Sequence, residues 1–463
     1  MASPANTLPP GYRTARGFCI TTAVWIVIGA LFGFISSLEL IAPDLLGNIG
    51  WLVFGRIRAV HTNLVIFGFV TPSLLTVSFY IVPRLLRTEL YSEKMGMITV
   101  GLWNVALVAA VITLAAGFTQ GREYAELIWP LDLVVVVLFA LICYNFFMTV
   151  KQRKEPILYV SVWYILAAVI LSAITYCIGN VIWVPGSGAL HGMPDAIILW
   201  FYGHNVLGLL LTPLAVGVAY YVIPSACRTP LYSHTLSLVG FWSLLMLYSH
   251  IGTHHLIQTP APTWLKVVSI TGSIGMIIPV MVVLINLWYT AKGKFGVIHT
   301  DIGAKFVFTG TIIYLFTCIQ GPAQSLPVVQ QVTHFSNWVV AHAHMGVLGF
   351  SGFIGLGGIY FILPKITGKP LFSNLLANMQ YWLILLGMSG FMIFLTISGL
   401  IQGHGWRTGA TVYRLLPQLH HYNIVRSSMG LLIVTSAIIF LYIIIRTMFF
   451  YPGEEASGVD KKS

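Results

Sequence analysis

The chain has 463 residues, 57% of them hydrophobic and only 8% charged, with a mean hydropathy of +0.87. A water-soluble domain carries about 25% charged residues, so a soluble enzyme is excluded and lipid is the expected solvent. The net charge of +11 could suggest nucleic acid, but the basic residues fall mostly between apolar stretches, so topology explains the sign and no nucleic-acid partner is expected.

Twelve apolar stretches are each long enough to cross a hydrocarbon core about 30 Å thick. In chain order they cover 17–40, 62–83, 97–118, 129–150, 158–183, 195–223, 235–259, 267–291, 303–324, 337–363, 376–401 and 424–450. They must be helices, because lipid offers backbone groups no partner and no alternating barrel pattern is present. The expected fold is an all-α integral membrane protein, a single transmembrane domain over 1–463. Short tails at about 1–16 and 452–463 flank it, and no repeat array or separate soluble domain stands out. The 24 lysines and arginines divide 17 to 7 between the two sides of such a layout. By the excess of Lys and Arg on the inner side, both termini are cytoplasmic.

The five cysteines, Cys19, Cys143, Cys177, Cys227 and Cys318, are scattered. They form no Cys-x-x-Cys-His haem-attachment motif, zinc spacing or disulfide framework. Any c-type haem would belong to another chain.

Of 14 histidines, six fall within or at the edges of spans and share one level. They are His61, His204, His254, His255, His342 and His344. An ionisable group at membrane depth is a functional hypothesis by default. One such histidine alone is more often a buried hydrogen-bonding residue, but six at one depth read as a layer of cofactors. His342 and His344 are two apart, so a helix points them about 200° apart. They can serve two cofactors on opposite faces, and Ala341, Ala343 and Gly346 leave room for large planar groups. His254 and His255 diverge by about 100° on a regular helix, so joint ligation needs a loosened helix end, which Gly252 and Pro260 favour. With His204 they make a three-histidine site suited to copper, zinc or iron. Tyr248 precedes His255 by seven residues and shares its face, where a phenol could supply a proton and an electron to a bound ligand.

The segments Tyr202-Gly203-His204-Asn205, Tyr248 with His254-His255, and His342-Ala343-His344 resemble motifs of the cbb-type (C-family) haem–copper oxidases. So do Gly55-Arg56-Ile57-Arg58-Ala59-Val60-His61-Thr62-Asn63 and Glu123-Tyr124-Ala125-Glu126-Leu127-Ile128-Trp129-Pro130. The resemblance runs from about residue 17 to 370. It implies the catalytic subunit of a terminal respiratory oxidase, multi-pass in a bacterial inner membrane, reducing dioxygen to water. His61 and His344 would be the axial ligands of a low-spin haem b and His342 the proximal ligand of a high-spin haem b. His204, His254 and His255 would hold copper, with Tyr248 cross-linked to His204. Electrons would come from c-type cytochrome subunits on the outer face, and proton uptake would accompany the reaction, with pumping open.

Less specific expectations follow the same resemblance. Thr212, Tyr220, Tyr221 and Ser237 are candidates for a proton path, with ordinary helix–helix hydrogen bonding as the plainer reading. Arg56 and Arg58 are candidates for pairing with haem propionates, and Glu123 and Glu126 for calcium. The chain departs from the family pattern at Gln320, Asn337 and Gly240, where the usual residues are Glu, Asp and His. Nitric oxide reductase of the same superfamily, with non-haem iron in place of copper, is the rival reading. That site typically adds a glutamate at the position of Gly208.

Overall fold

In the computed structural model, residues 11–184 and 190–450 are described. Among them the structure is helical throughout, with one isolated bridge between Arg122 and Ala125 and no extended strand. Twelve helices are long and apolar enough to cross a membrane. They are α1 (Arg13–Glu39), α2 (Phe54–Leu85), α3 (Glu93–Ala116), α4 (Trp129–Lys151), α5 (Val160–Gly179) and α6 (Gly192–Cys227). The second half comprises α7 (His234–Leu256), α8 (Thr263–Thr290), α9 (Ile302–Ser325), α10 (Asn337–Thr367), α11 (Asn374–Arg407) and α12 (Val412–Phe450).

All twelve expected spans are present, and the differences lie at their ends. Helix α2 begins eight residues before the apolar stretch, so His61 lies within the helix and not at its start. Helix α12 begins twelve residues early, through the polar run Gln418 to Asn423. Hydropathy marks where a helix meets lipid, whereas backbone hydrogen bonding continues beyond that boundary. The expected tail at 452–463 lies outside the described residues, as does 1–10 of the other, while Arg13–Arg16, expected in that tail, belong to α1.

Three helices are interior. Their most apolar windows are 94%, 89% and 78% buried in α2, α6 and α10, against 33–56% in the other nine. These three carry His61, His204, and His342 with His344. Each also carries a wider π-helical stretch just after its histidines, at Leu64–Val70, Val206–Leu211 and Met345–Gly352. In α2 and α6 this stretch ends at Thr71-Pro72 and Thr212-Pro213. Proline lacks the N–H that a regular turn would use, so the ladder resets there.

The interior helices belong to a threefold internal repeat that the sequence reading did not detect. Each ends near a proline (Pro83, Pro224, Pro364). Next comes a left-handed residue: Arg87 at φ 51°, Arg228 at φ 51° and Gly368 at φ 68°. Leu-Tyr-Ser, Leu-Tyr-Ser and Leu-Phe-Ser follow, with Ser92, Ser233 and Ser373 accepting the backbone N–H three residues on as N-caps of α3, α7 and α11. A threonine on the last helix of each unit then accepts the N–H of the aromatic residue. Thr149 takes Tyr91 at 3.0 Å, Thr290 takes Tyr232 at 3.0 Å and Thr447 takes Phe372 at 3.1 Å. In the first two units an asparagine also clasps the capping serine's backbone on both sides. Asn145 accepts from Ser92 N at 3.2 Å and donates to Ser92 O at 3.0 Å; Asn286 does the same to Ser233 at 2.9 and 2.8 Å.

Counting back from the three prolines explains why the histidines share a level. Twenty-two residues back stand His61, Tyr202 and His342; twenty back stand Asn63, His204 and His344. The layer is one position in three copies of a unit. Because Asn145 satisfies two part-buried backbone groups at once, Asn145→Ala should lower stability by about 1–3 kcal/mol. Thermal unfolding in detergent checks this, and an unchanged midpoint would mean the clasp contributes nothing.

Candidate metal and haem centre

The six histidines resolve into two neighbouring groups. In the first, His204 on α6 faces the last turn of α7, where Gly252–Leu256 tightens into a 3-10 segment. This break from the α-helix, which ends at Tyr248, lets two consecutive histidines turn toward one point. The nitrogens of His204, His254 and His255 all lie within 4.8 Å of one another, the only such cluster of three His, Cys, Asp or Glu ligand atoms among the described residues. Helix approach here depends on Gly252, since a Cβ there would lie 2.2 Å from the Trp200 carbonyl oxygen.

The surrounding groups orient these rings. His254 Nδ1 is 2.7 Å from Ser273 Oγ on α8, and Gln330 donates to the His254 carbonyl at 2.5 Å. Trp200 stacks on His255, with ring centres 3.9 Å apart and 13° between planes. His204 Nδ1 lies 3.1 Å from His255 Nε2, while the Nε2 atoms of His204 and His254 are sealed from solvent without a partner. Three converging imidazoles, two of them with unpaired Nε2 atoms, fit a single metal ion with one position left open.

Tyr248 lies against this cluster, its ring 4.9 Å from that of His204. The ring fills the space that a side chain at 208 would need: a Cβ on Gly208 would stand 1.6 Å from a Tyr248 ring carbon. Glutamate at 208 and Tyr248 in this pose are therefore mutually exclusive.

The second group straddles α2 and α10. His61 and His344 face each other with ring centres 6.2 Å apart and only 19° between planes. Each is held by its Nδ1, His61 to Gly29 O at 2.7 Å and His344 to Val340 O at 2.8 Å, which leaves Nε2 as the ligand atom. Metal–nitrogen bonds of about 2.0 Å on both sides of one iron would put the ring centres about 6 Å apart, so the pair fits a bis-histidine haem. Gly33 is required beside it, because a Cβ there would lie 2.5 Å from the His61 ring.

His342 points to the opposite side of α10 from His344, toward α9. Its Nδ1 lies 3.4 Å from Gln320 Oε1, and it is an electrostatic neighbour of all three histidines of the first group. The divergence expected from their two-residue spacing is present.

The remaining expected residues divide. Tyr220 and Ser237 meet through Asn286, whose Nδ2 reaches Tyr220 Oη at 3.4 Å and Ser237 Oγ at 3.1 Å. Thr212 lies beside the Tyr248 hydroxyl. Between these ends stand Tyr164, whose ring centre is 5.8 Å from that of Tyr220, and Tyr314, an electrostatic neighbour of both Tyr164 and Tyr248. The hydroxyls of Tyr164 and Tyr314 are buried without partners. Sequence reasoning missed Tyr164, Tyr314 and Asn286. Tyr221 turns instead to Tyr80 on α2, the ring centres 6.1 Å apart.

Arg56 donates to the Ala115 carbonyl at 3.1 Å, and Arg58 pairs with Glu123 at 2.5 Å. Glu126 is buried and accepts from Asn63 at 3.1 Å; burial pushes its carboxyl above the usual range. Arg122 ties the loop to Asp195 at 3.0 Å and to Gly179 O at 2.7 Å. No third carboxylate joins Glu123 and Glu126 in a metal-sized cluster among the described residues.

The family model of cytochrome c and quinol oxidase polypeptide I matches residues 13–432. The chain is 31% identical over 456 residues to the cbb3-type cytochrome c oxidase subunit CcoN1 of Stutzerimonas stutzeri, covering 96% of each chain. It is 32% identical over 454 residues to a cytochrome c oxidase subunit 1 homolog of Agrobacterium tumefaciens (strain T37), covering 95% of this chain and 84% of that one. Its fold matches a solved haem–copper terminal oxidase dimer with a TM-score of 0.79 at 18% identity, covering 95% of this chain and 85% of that one. With twelve spans, a converging histidine triad and a match of this extent, the chain belongs to the haem–copper oxidase subunit I family.

Proposed function

We propose that this chain is the catalytic subunit of a cbb-type terminal oxidase, reducing dioxygen to water with four electrons and four protons. On this reading His61 and His344 bind a low-spin haem b, His342 binds a high-spin haem b, and His204, His254 and His255 bind copper. A haem held by His342 and a copper ion held by His204, His254 and His255 would supply the electrons for dioxygen reduction. Electrons would arrive from c-type cytochrome subunits, in keeping with the similarity to the Stutzerimonas cbb3-type cytochrome c oxidase subunit.

The chain's own residues have three tasks. The imidazoles fix the metals, with Ser273, Gly29 and Val340 setting which ring nitrogen is free. Tyr248 holds a proton at its hydroxyl beside the triad. The column Ser237–Asn286–Tyr220–Tyr164–Tyr314 offers hydroxyl and amide groups along which that proton is replaced. Glu123 and Glu126 remain the candidates for calcium, and cytoplasmic termini remain the proposed orientation.

The observation that carries dioxygen over nitric oxide is the contact of Gly208 with Tyr248. A non-haem iron site would gain from a carboxylate as well as imidazole, and the Tyr248 ring occupies the place of the expected one. Gln320, beside His342, is likewise neutral.

Metal and haem analysis of the purified complex tests the assignment. The expected result is about one copper and two b haems per chain, as the metal sets above require, with cyanide-sensitive dioxygen consumption. Non-haem iron without copper, with turnover of nitric oxide alone, would overturn it. Tyr248→Phe keeps the ring packing but removes the proton, so turnover should fall roughly 10²-fold or more while copper and haem contents stay constant. Tyr314→Phe should slow reprotonation, seen as slower turnover with an undiminished rate of haem reduction by a small reductant. Wild-type turnover in Tyr314→Phe would remove that residue from the path.

A further inference from the structure

The hairpin that joins α11 to α12 stands clear of the bundle. Asn423 donates to Leu40 O at 3.3 Å, just past the end of α1, and Ser427 lies 2.9 Å from Ser37 one turn below. Helix α12 begins at Val412, so about three further turns, roughly 16 Å at 1.5 Å per residue, rise beyond the end of α1. The headgroup layer adds only about 5–8 Å to each side of the hydrocarbon core, and the apolar stretches of the two helices stop at 401 and 424. The tip of the hairpin is therefore in water, at the histidine end of the bundle, which is the outer side on the proposed orientation. It is also rigid. Gly409 turns the chain at φ 85°, Ala410 N donates to Gly405 O at 2.8 Å, and a Cβ at Gly405 would lie 2.7 Å from Leu415 across the hairpin.

Tyr413 is 83% exposed at this tip, with Val412 and Leu416 half exposed beside it. Arg407 and Arg414 are exposed around them, with His420 and His421 on the same arm as Arg414. None of the ion pairs among the described residues uses these groups, and no Asp or Glu occurs between Asp301 and Glu454. An exposed aromatic ring flanked by arginines is the composition of an interface, and a patch of one sign of charge selects a partner of the other. Lipid cannot be that partner, because the tip stands above the headgroups. The foot of the hairpin leads to the bis-histidine pair: the Tyr422 ring is 6.5 Å from Phe394, and Phe391, one turn away on the same face, is 4.6 Å from the His344 ring. We infer that the tip of the α11–α12 hairpin is a docking surface for an acidic electron-transfer protein. Tyr413 is its apolar anchor, and Arg407 and Arg414 meet the partner's carboxylates. The inference rests on the oxidase reading for the partner's task, and adds where that partner binds and which sign of charge it carries.

The test uses the whole purified complex, with Arg407→Glu combined with Arg414→Glu, and separately with Tyr413→Ala; all three side chains are exposed, so the fold is spared. The readouts are subunit composition at rising salt and the KM for two reduced c-type cytochromes, one of net negative and one of net positive charge. A small uncharged reductant is the control, and its turnover should be unchanged throughout. The charge reversal should either release an acidic haem-bearing subunit at a salt concentration that the wild-type complex withstands, or raise the KM for the negative cytochrome roughly tenfold or more at low ionic strength. Tyr413→Ala should weaken the same interaction several-fold while leaving its salt dependence intact. Full subunit retention with an unchanged KM for both cytochromes would overturn the inference. Loss of a bound anionic phospholipid alone would assign the tip to lipid and overturn it equally. A wild-type complex that consumes no dioxygen with any donor would sink the oxidase reading instead, and subunit retention would still test the surface.

Discussion

An imidazole inside a lipid-solvated bundle has two ring nitrogens, and both must find partners without water. That constraint organises the core. His61 and His344 give Nδ1 to main-chain carbonyls, and His254 places its Nδ1 beside a serine on another helix. Each bond fixes a ring's rotation and leaves the other nitrogen aimed inward, so a nitrogen left over is a demand for a metal. A buried polar atom without a partner costs about 1–3 kcal/mol. The unpaired Nε2 atoms of His204 and His254 are tolerable only because an ion would convert that cost into a bond.

The helices that carry these rings are ordered by a second device. The capped serine turns and their threonine or asparagine partners lock the interior helices to the outer ones in three similar corners. The corners lie at the opposite end of the helices from the histidines. The site end is thus left to glycine, tight approach and wider helical turns. Two of the three sectors bring ring nitrogens together. In the third, the equivalent residues are Asn63 and Tyr202, and the space between them is filled by Phe67, Trp103, Phe139 and Tyr176.

The number and order of helices were legible because lipid enforces long apolar runs, and the divergence of His342 from His344 followed from helical pitch alone. The bend that unites His254 with His255 was legible through Gly252 and Pro260. The proton column was harder. Tyr164, Tyr314 and Asn286 are ordinary residues for a membrane helix, and only their proximity to Tyr220 and Tyr248 distinguishes them. Asn286 did leave a trace: it follows Ser233 at the same interval as Asn145 follows Ser92, within the recurring Leu-Tyr-Ser motif. Such a repeat is faint when three residues in about 140 carry it.

The placement of His342 and His344 on one turn of α10 has a mechanical consequence. Most pairs of groups in a helical bundle are separated by whatever the packing allows, and their spacing drifts as helices slide or the membrane thins. These two imidazoles are joined through a single alanine and its peptide units, so their separation is a matter of bond lengths. On the proposed assignment, the step between the two haems is coupled along a covalent bridge. Its rate would then be insulated from bilayer composition, from docking of other subunits and from the breathing of the nine outer helices.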